Sequence, residues 1–497
     1  MNGRSLDTAV PLAKHEDDRL NYQQNDSTAV PMASSYSNHH PCHCFYADEE
    51  AYDPSQERDV EDEEEKQHFA NICFAFSYYE EDSLRDVARM EQNFQKLPIE
   101  DKRLLIEPVE SRIQNLKEAI GANQNFIDIL LSPQYGENFS DLLSPTPSTL
   151  EDFVQNHSRD EVFPEDEKRD APTEDGLLKE RRESQDIPDR GEKFDFDHTC
   201  TNTIPSQPPS PFFNTSHNPP LSRVRDAMKI LPDPVVLERN MTKVRATLRQ
   251  FVREWSEEGA KERMEAYTPL LMDLDAFLPI KNPLEPPRVL CPGCGLGRLP
   301  FEVVRKGYGC QGNEFSYFML LGSNLILNYA IKPKACLIYP FCLSTSNRKQ
   351  HNDNLTPILI PDVNPSDHVT ADYDFSMSAG EFIEVYGNQK AKWDGILTCF
   401  FIDTAKNILQ YIRTIALILR PGGLWANLGP LLYHYAEMAN EMSVELSWEE
   451  VKGAIEKWFR FEKIEWKDTF YTSNSDSMMQ ILYHTVHFVA IRTEAEL

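Results

Sequence analysis

The stretch Arg288-Val-Leu-Cys-Pro-Gly-Cys-Gly-Leu-Gly-Arg298 decides the fold of this chain. It opens with a short apolar strand, and the apolar residues from Leu299 to Val304 predict a helix directly after it. The three glycines between them allow a tight turn and let a ligand approach the backbone at the start of the helix. A strand, a glycine turn and a helix in this order are typical of the first unit of a nucleotide-binding α/β sheet.

The residues after this stretch extend the pattern. A second strand ends near Glu314, 17 residues beyond Gly297, which is close to the offset of an acid that binds ribose hydroxyls. A buried-type strand ends at Asp403, and a helix, a Pro-Gly-Gly turn at 421–423 and another strand follow it. That late order is more typical of S-adenosylmethionine-dependent methyltransferases than of nicotinamide dehydrogenases. We therefore predict an α/β fold with a Rossmann-like, seven-stranded methyltransferase sheet.

The composition changes along the chain and divides it into four parts. The 497 residues include 34 prolines, and the prolines and acidic residues are concentrated in two stretches that lack helical or strand periodicity. Apolar residues at helical spacing lie between those stretches and need a partner surface. The predicted parts are a disordered acidic tail (1–67), an N-terminal helical region (68–131), a disordered Pro/Ser/acidic insertion (132–224) and a methyltransferase domain (225–497).

Charge and cysteine usage exclude several classes of function. The chain has 80 acidic and 50 basic residues, a net charge of −30, which disfavours binding to nucleic acid. We find no membrane-spanning run or secretory signal, so we expect a cytoplasmic protein, with the nucleus left open as a second location. The His/Cys group at 39–44 lacks a second ligand pair, and Cys291 and Cys294 belong to the glycine turn, so we predict no metal site.

Four motifs together resemble the carnosine N-methyltransferase family. They are Pro292-Gly-Cys-Gly-Leu-Gly-Arg298, Cys310-Gln-Gly-Asn-Glu-Phe-Ser316, Phe400-Phe-Ile-Asp-Thr-Ala405 and Asn427-Leu-Gly-Pro-Leu-Leu-Tyr-His434. The resemblance covers roughly 225–497, and the helices at 68–131 are also similar. It implies methyl transfer from S-adenosylmethionine to the imidazole of carnosine, giving anserine, or of a related histidine-containing dipeptide, and it suggests a homodimer. The chain departs from the family pattern at Cys294, where Ala is common, and at Glu381, where we expect Asp.

The resemblance also assigns roles to individual residues. Asp403 is the expected catalytic residue, because a carboxylate that accepts one ring N–H leaves the other imidazole nitrogen free to attack; alternatively, Asp403 caps the next helix. The expected substrate-binding residues are His434, Tyr471 and Tyr483. The expected cofactor-binding residues are Gln250 and Arg253 for the methionine carboxylate, Gly293, Gly295 and Glu314 for the backbone and ribose, Glu381 and Phe382 for the base, and Cys399. Without the resemblance, Arg253 could instead be an ordinary surface charge, and Tyr471 and Tyr483 could be ordinary core residues.

Three other functions remain open at this stage. One is methylation of a histidine within a protein, with the acidic tail helping recruitment. Another is a non-catalytic scaffold that binds the cofactor only structurally. A nicotinamide dehydrogenase is the least favoured enzyme class.

Overall fold

The computed structural model describes residues 54–105, 107–135, 232–370 and 372–497. Helices in these ranges are α1 (Pro54–Ser77), α2 (Tyr79–Gln95), α3 (Ile99–Lys102), α4 (Val109–Tyr135), α5 (Pro234–Trp255), α6 (Ala260–Phe277), α7 (Arg298–Arg305), α8 (Tyr317–Asn328), α9 (Phe382–Tyr386), α10 (Ile408–Ile418) and α11 (Trp448–Ile455). The strands are β1 (Arg288–Pro292), β2 (Gly309–Glu314), β3 (Cys336–Ile338), β4 (Ile358–Ile360), β5 (Phe375–Ala379), β6 (Trp393–Cys399), β7 (Leu419–Gly429), β8 (Phe459–Thr469) and β9 (Tyr483–Arg492).

Seven strands form the main sheet, in the order β5-β2-β1-β6-β7-β9-β8. The first five in that order pair in parallel, whereas β9 is antiparallel to both of its neighbours. Strands β3 and β4 form a separate antiparallel pair. The predicted seven-stranded, Rossmann-like sheet is therefore confirmed.

Both faces of the sheet are buried at its central strand β1, as expected for a strand whose sequence is a continuous apolar run. Along β1, Val289 and Cys291 pack into one hydrophobic cluster, and Leu290 between them packs into the cluster on the other face. Trp425 of β7 lies in the second cluster. The carboxyl ends of the parallel strands meet at one edge, where open α/β sheets bind their ligands.

The N-terminal helices pack directly against the sheet domain. The ring of Phe126 in α4 lies edge-on to Phe251 of α5, with 4.9 Å between centroids, and Phe76 of α1 contacts Phe318 of α8. The side-chain amide of Asn123 in α4 donates to the carbonyl of Tyr339, which follows β3, and accepts from the Tyr339 N–H. These contacts give the helices the partner surface that their apolar faces require.

The structure differs from the predicted boundaries at the helical region. Helix α1 begins at Pro54, within the segment predicted to be a disordered tail, and α4 continues to Tyr135. The predicted disorder at 1–53 and 136–224, the first residues of the predicted methyltransferase domain (225–231) and the His/Cys group at 39–44 lie outside the described residues. No helix in the described ranges is long and apolar enough to cross a membrane.

Candidate active site

The turn between β1 and α7 depends on its three glycines. Gly293, Gly295 and Gly297 have φ angles of +61°, +58° and +84°, a region that side chains other than glycine adopt at a cost. A Cβ on Gly293 would also lie 2.4 Å from the ring of Phe401. Cβ atoms on Gly295 and Gly297 would likewise lie 2.5 Å from Glu254 and 2.9 Å from Leu327, so the turn packs too closely on its neighbours for side chains at these positions.

A buried carboxylate from α5 holds this turn in place. Glu254 accepts hydrogen bonds from the backbone N–H groups of Leu296 (3.2 Å) and Arg298 (3.1 Å). It also accepts one from the side chain of Gln250 at 2.6 Å, so Gln250 lies beside the turn. Glu254 is only 1% exposed, and burial raises its pKa. Sequence reasoning missed Glu254, whose position near the end of an amphipathic helix does not reveal these partners.

Glu314 ends β2 and closes the turn from the opposite side. One carboxylate oxygen accepts from Gly295 N–H at 2.9 Å, and the other accepts from the N–H groups of Phe315 and Ser316, both at 2.8 Å. Burial raises the pKa of Glu314 to about 7 although these three donors oppose the shift. The structure thus brings Glu314 and the glycine turn together, and the predicted contact of Glu314 with ribose stays a prediction.

Arg253 is buried in the centre of the site, 3% exposed, so the alternative that it is a surface charge is wrong. Its Nη1 donates to the Tyr267 hydroxyl at 2.8 Å, and its Nε lies 3.5 Å from a Glu262 carboxylate oxygen. Its Nη2 has no hydrogen-bond partner among the described residues. A buried guanidinium with a spare donor is suited to a carboxylate, because Arg and carboxylate geometries match.

Asp403 lies just beyond the carboxyl end of β6 and is 2% exposed. It belongs to a short 3₁₀ turn, Ile402–Thr404, and the side chain that caps α10 is that of Asn407. The alternative that Asp403 caps the next helix is therefore wrong. One of its carboxylate oxygens accepts from Leu432 N–H at 2.9 Å, and burial raises its pKa to about 7.

His434 is joined to Asp403 through the backbone, since its N–H donates to the Asp403 carbonyl at 3.2 Å. The ring Nδ1 is buried and has no hydrogen-bond partner in the described part of the chain. Burial lowers the pKa of His434, so its imidazole is neutral at pH 7. The segments after β6 and β7 thus bring the Asp403 carboxyl group and an uncharged His434 imidazole to the same edge of the sheet.

An aromatic cluster, Phe400 with Tyr471 and Tyr483, adjoins Arg253. Phe400, which follows β6 with φ +53°, contacts the rings of Tyr471 and Tyr483 at centroid distances of 4.7 and 5.7 Å. The Arg253 guanidinium carbon lies 4.6 Å from the Tyr471 ring centroid. Phe400 was missed as a site residue, although it belongs to a motif quoted above. Such rings can contact cations and flat heterocycles.

The remaining expected cofactor residues have structural partners of their own. Glu381 caps the short helix α9 by accepting from the N–H groups of Ile383 (2.6 Å) and Glu384 (3.0 Å). Phe382 is 2% exposed and packs among other aromatic rings. Cys399 ends β6, and burial raises the pKa of its thiol to about 11. Their contacts with adenosine or cofactor stay predictions.

These features fit S-adenosylmethionine as the cofactor of the site. The glycine turn after β1 and Glu314 at the end of β2 lie at the sheet edge where such folds bind a nucleoside, and the buried Arg253, whose Nη2 has no partner in the described ranges, suits the carboxylate of the methionine end. The fold and the site together define the class of S-adenosylmethionine-dependent methyltransferases.

Comparison with known proteins identifies the family. The family model described as carnosine N-methyltransferase matches residues 233–494, more than half of the chain, so the chain belongs to this family. It is 46% identical over 254 residues to carnosine N-methyltransferase of Mus musculus, a match covering 50% of this chain and 63% of that protein. The Schizosaccharomyces pombe protein of that name is 41% identical over 262 residues, covering 50% and 70% respectively. The match thus spans less than two thirds of the mouse relative.

A solved structure overlaps with the chain more loosely. The complex between the Haloferax volcanii Trm112 methyltransferase activator and the putative methyltransferase aligns at 13% identity and a TM-score of 0.31, covering 50% of this chain and 98% of that chain. The fold is therefore assigned from this chain's own sheet topology.

Proposed function

We propose that this protein transfers a methyl group from S-adenosylmethionine to an imidazole nitrogen of carnosine or a related histidine-containing dipeptide. The observation that carries the proposal is the buried Asp403 carboxyl group just beyond the carboxyl end of β6, three residues after Phe400 of the aromatic cluster. The names of the relatives support carnosine as the acceptor.

Asp403 orients the acceptor in this proposal. As a carboxylate it accepts the N–H of one ring nitrogen, which fixes the tautomer and leaves a lone pair on the other nitrogen. It then stabilises the positive charge that develops on the ring. Because burial raises its pKa to about 7, the carboxylate form of Asp403 becomes more populated as the pH rises through neutrality.

His434 and the aromatic residues complete the acceptor site. A neutral His434 adds no repulsive charge, and its unpartnered Nδ1 is available to the acceptor. Tyr471 and Tyr483, packed on Phe400, align the flat imidazole and exclude water, which is most of what an in-line displacement requires.

On the cofactor side, Arg253 and Gln250 hold the carboxylate end and Glu314 holds the ribose beside Gly293 and Gly295. S-adenosylmethionine, when bound, supplies the electrophilic methyl group and its positive charge. Glu254 acts indirectly by fixing the turn. The expected roles of Glu381, Phe382 and Cys399 belong to the same proposal.

The test is an assay with methyl-labelled S-adenosylmethionine and carnosine, with the product separated by chromatography. Asp403→Asn should lose most of its turnover while calorimetry shows retained cofactor binding. Asp374→Asn, an exposed acid paired with Arg288, is the matched control and should behave as wild type. An unlabelled dipeptide, or an unimpaired Asp403→Asn enzyme, contradicts the proposal. Label in a protein band and not in carnosine would favour a protein histidine as acceptor.

A further inference from the structure

A second cavity adjoins the candidate active site. It has a volume of about 240 Å³, and we call it the outer cavity. Three arginines, Arg245, Arg249 and Arg348, contribute to its lining together with Asp353 and the loop that begins at Tyr471. Its lining thus carries an excess of positive charge in a protein whose net charge is −30.

Tyr471 belongs both to the outer cavity and to the active site. Besides lining the cavity, its ring packs on Phe400 and lies against the Arg253 guanidinium. The loop after it is held by Glu262, which accepts from Thr472 N–H at 2.9 Å and from Ser473 N–H at 2.7 Å. An acceptor bound beside Phe400 therefore has the outer cavity as its neighbour across a single side chain.

The arginines of α5 lead from the active site towards this cavity. Residues four apart lie on one face of an α-helix, about 6 Å apart along its axis. Arg253 lies in the active site, and Arg249 and Arg245 line the outer cavity one and two turns earlier. Cationic side chains thus follow one another along α5 from the active site to the outer cavity.

The arginines of the outer cavity differ in whether an acidic side chain compensates their charge. Arg245 forms ion pairs with Asp82 and Asp86, both at 3.0 Å, so its charge is compensated. The Arg348 guanidinium, by contrast, donates to neutral oxygens, the carbonyls of Thr345 and His351 and the side-chain oxygen of Asn354.

Asp353 does not cancel the charge of Arg348 by a close pair. One of its carboxylate oxygens accepts from the N–H groups of Lys349 (2.7 Å) and Gln350 (2.8 Å). The pKa of Arg348 is lowered by burial and by Arg112, while Asp353 and Glu107 oppose the shift. These surroundings favour an additional anion near Arg348.

We propose that the outer cavity binds the free carboxylate of the dipeptide acceptor, with Arg348 and Arg249 as its cationic contacts. This inference rests on the proposed function. In carnosine the carboxylate and the imidazole belong to the same histidine residue, so a ring held at Asp403 presents its carboxylate only a few bonds away. A histidine inside a protein chain carries an amide at that position, and the cavity therefore selects a C-terminal histidine.

The experiment compares carnosine with β-alanylhistamine, which is the same molecule without the carboxylate. Wild-type enzyme should show a KM for carnosine about ten- to a hundredfold lower than for β-alanylhistamine, as expected for charge-assisted hydrogen bonds. Arg348→Gln and Arg249→Gln should each raise the KM for carnosine and leave that for β-alanylhistamine unchanged. Arg348→Lys should restore part of the preference, and Arg85→Gln, an exposed arginine of α2, is the control.

Each outcome discriminates. Equal KM values for the two acceptors in wild-type enzyme overturn the inference, as do variants that raise both KM values alike. If neither acceptor is methylated by wild-type enzyme that still binds the cofactor, the proposed function itself fails. If the glutamine variants do not fold, wild-type enzyme is compared with Arg348→Lys instead. The ratio of the KM for β-alanylhistamine to the KM for carnosine must then be smaller in Arg348→Lys than in wild type.

Discussion

Replacing Asp403 with Asn is expected to change how stability depends on pH. In the folded protein the carboxyl pKa is raised from 3.8 to about 7 by burial, so the folded state holds a proton that the unfolded chain has already lost. The stability contributed by this group is fully present below pH 3.8 and is lost as the pH rises through about 7. The wild-type protein should therefore lose stability relative to Asp403→Asn as the pH rises.

The magnitude follows from linkage. One pH unit within this window changes the free energy of unfolding by about 1.4 kcal/mol. The free energy of unfolding of Asp403→Asn minus that of wild type should therefore increase by about 2–3 kcal/mol between about pH 5 and pH 8. The asparagine keeps an oxygen for the N–H of Leu432, which preserves the hydrogen bond seen at 2.9 Å.

The assay is urea unfolding of both proteins, followed by fluorescence at several pH values, with Asp374→Asn as a third sample. Using the difference between variants at each pH cancels the titration of all unrelated groups. A difference that stays flat from pH 5 to pH 8 would refute the reasoning, because Asp403 would then ionise alike in both states. Activity should depend on pH in the opposite sense to stability. The kcat/KM for carnosine should rise as the pH rises through about 7, because Asp403 then becomes a carboxylate.

Three further predictions concern residues that hold the site. Glu314→Gln replaces one acceptor oxygen by a donor that faces backbone N–H groups, so cofactor affinity in calorimetry should fall at least tenfold. Unchanged affinity would contradict this role. Gly293→Ala places a Cβ 2.4 Å from the Phe401 ring at positive φ, and denaturant melts should show a loss of about 2–4 kcal/mol; a wild-type midpoint would refute it. Glu262→Gln should loosen the loop after Tyr471, seen as a several-fold higher acceptor KM and faster proteolysis there, whereas exposed Glu285→Gln should change neither.

Much of the fold could be predicted because its signals are local. A few adjacent residues are enough to predict each of three features: the glycine turn between β1 and α7, the strand that ends at Glu314 and the Pro-Gly-Gly turn within β7. The offset of 17 residues from Gly297 predicts Glu314 as a ribose-binding acid, which stays a prediction, whereas its hydrogen bond to Gly295 N–H at 2.9 Å is visible only in the structure. The start of α1 at Pro54 was missed, because its highly charged first turns resemble a solvated tail.

By itself the sequence determined the class of sheet, the nucleotide turn and the motifs that identify the family, since each is a pattern of neighbouring residues. Only the tertiary structure decided which buried groups serve the site. Glu254 meets Leu296 across 42 residues, and Glu262 meets Thr472 across 210, so their roles as supports of the turn and of the Tyr471 loop have no local signature. The physical reason is that a buried carboxylate must find N–H donors, and the fold alone determines which distant donors reach it.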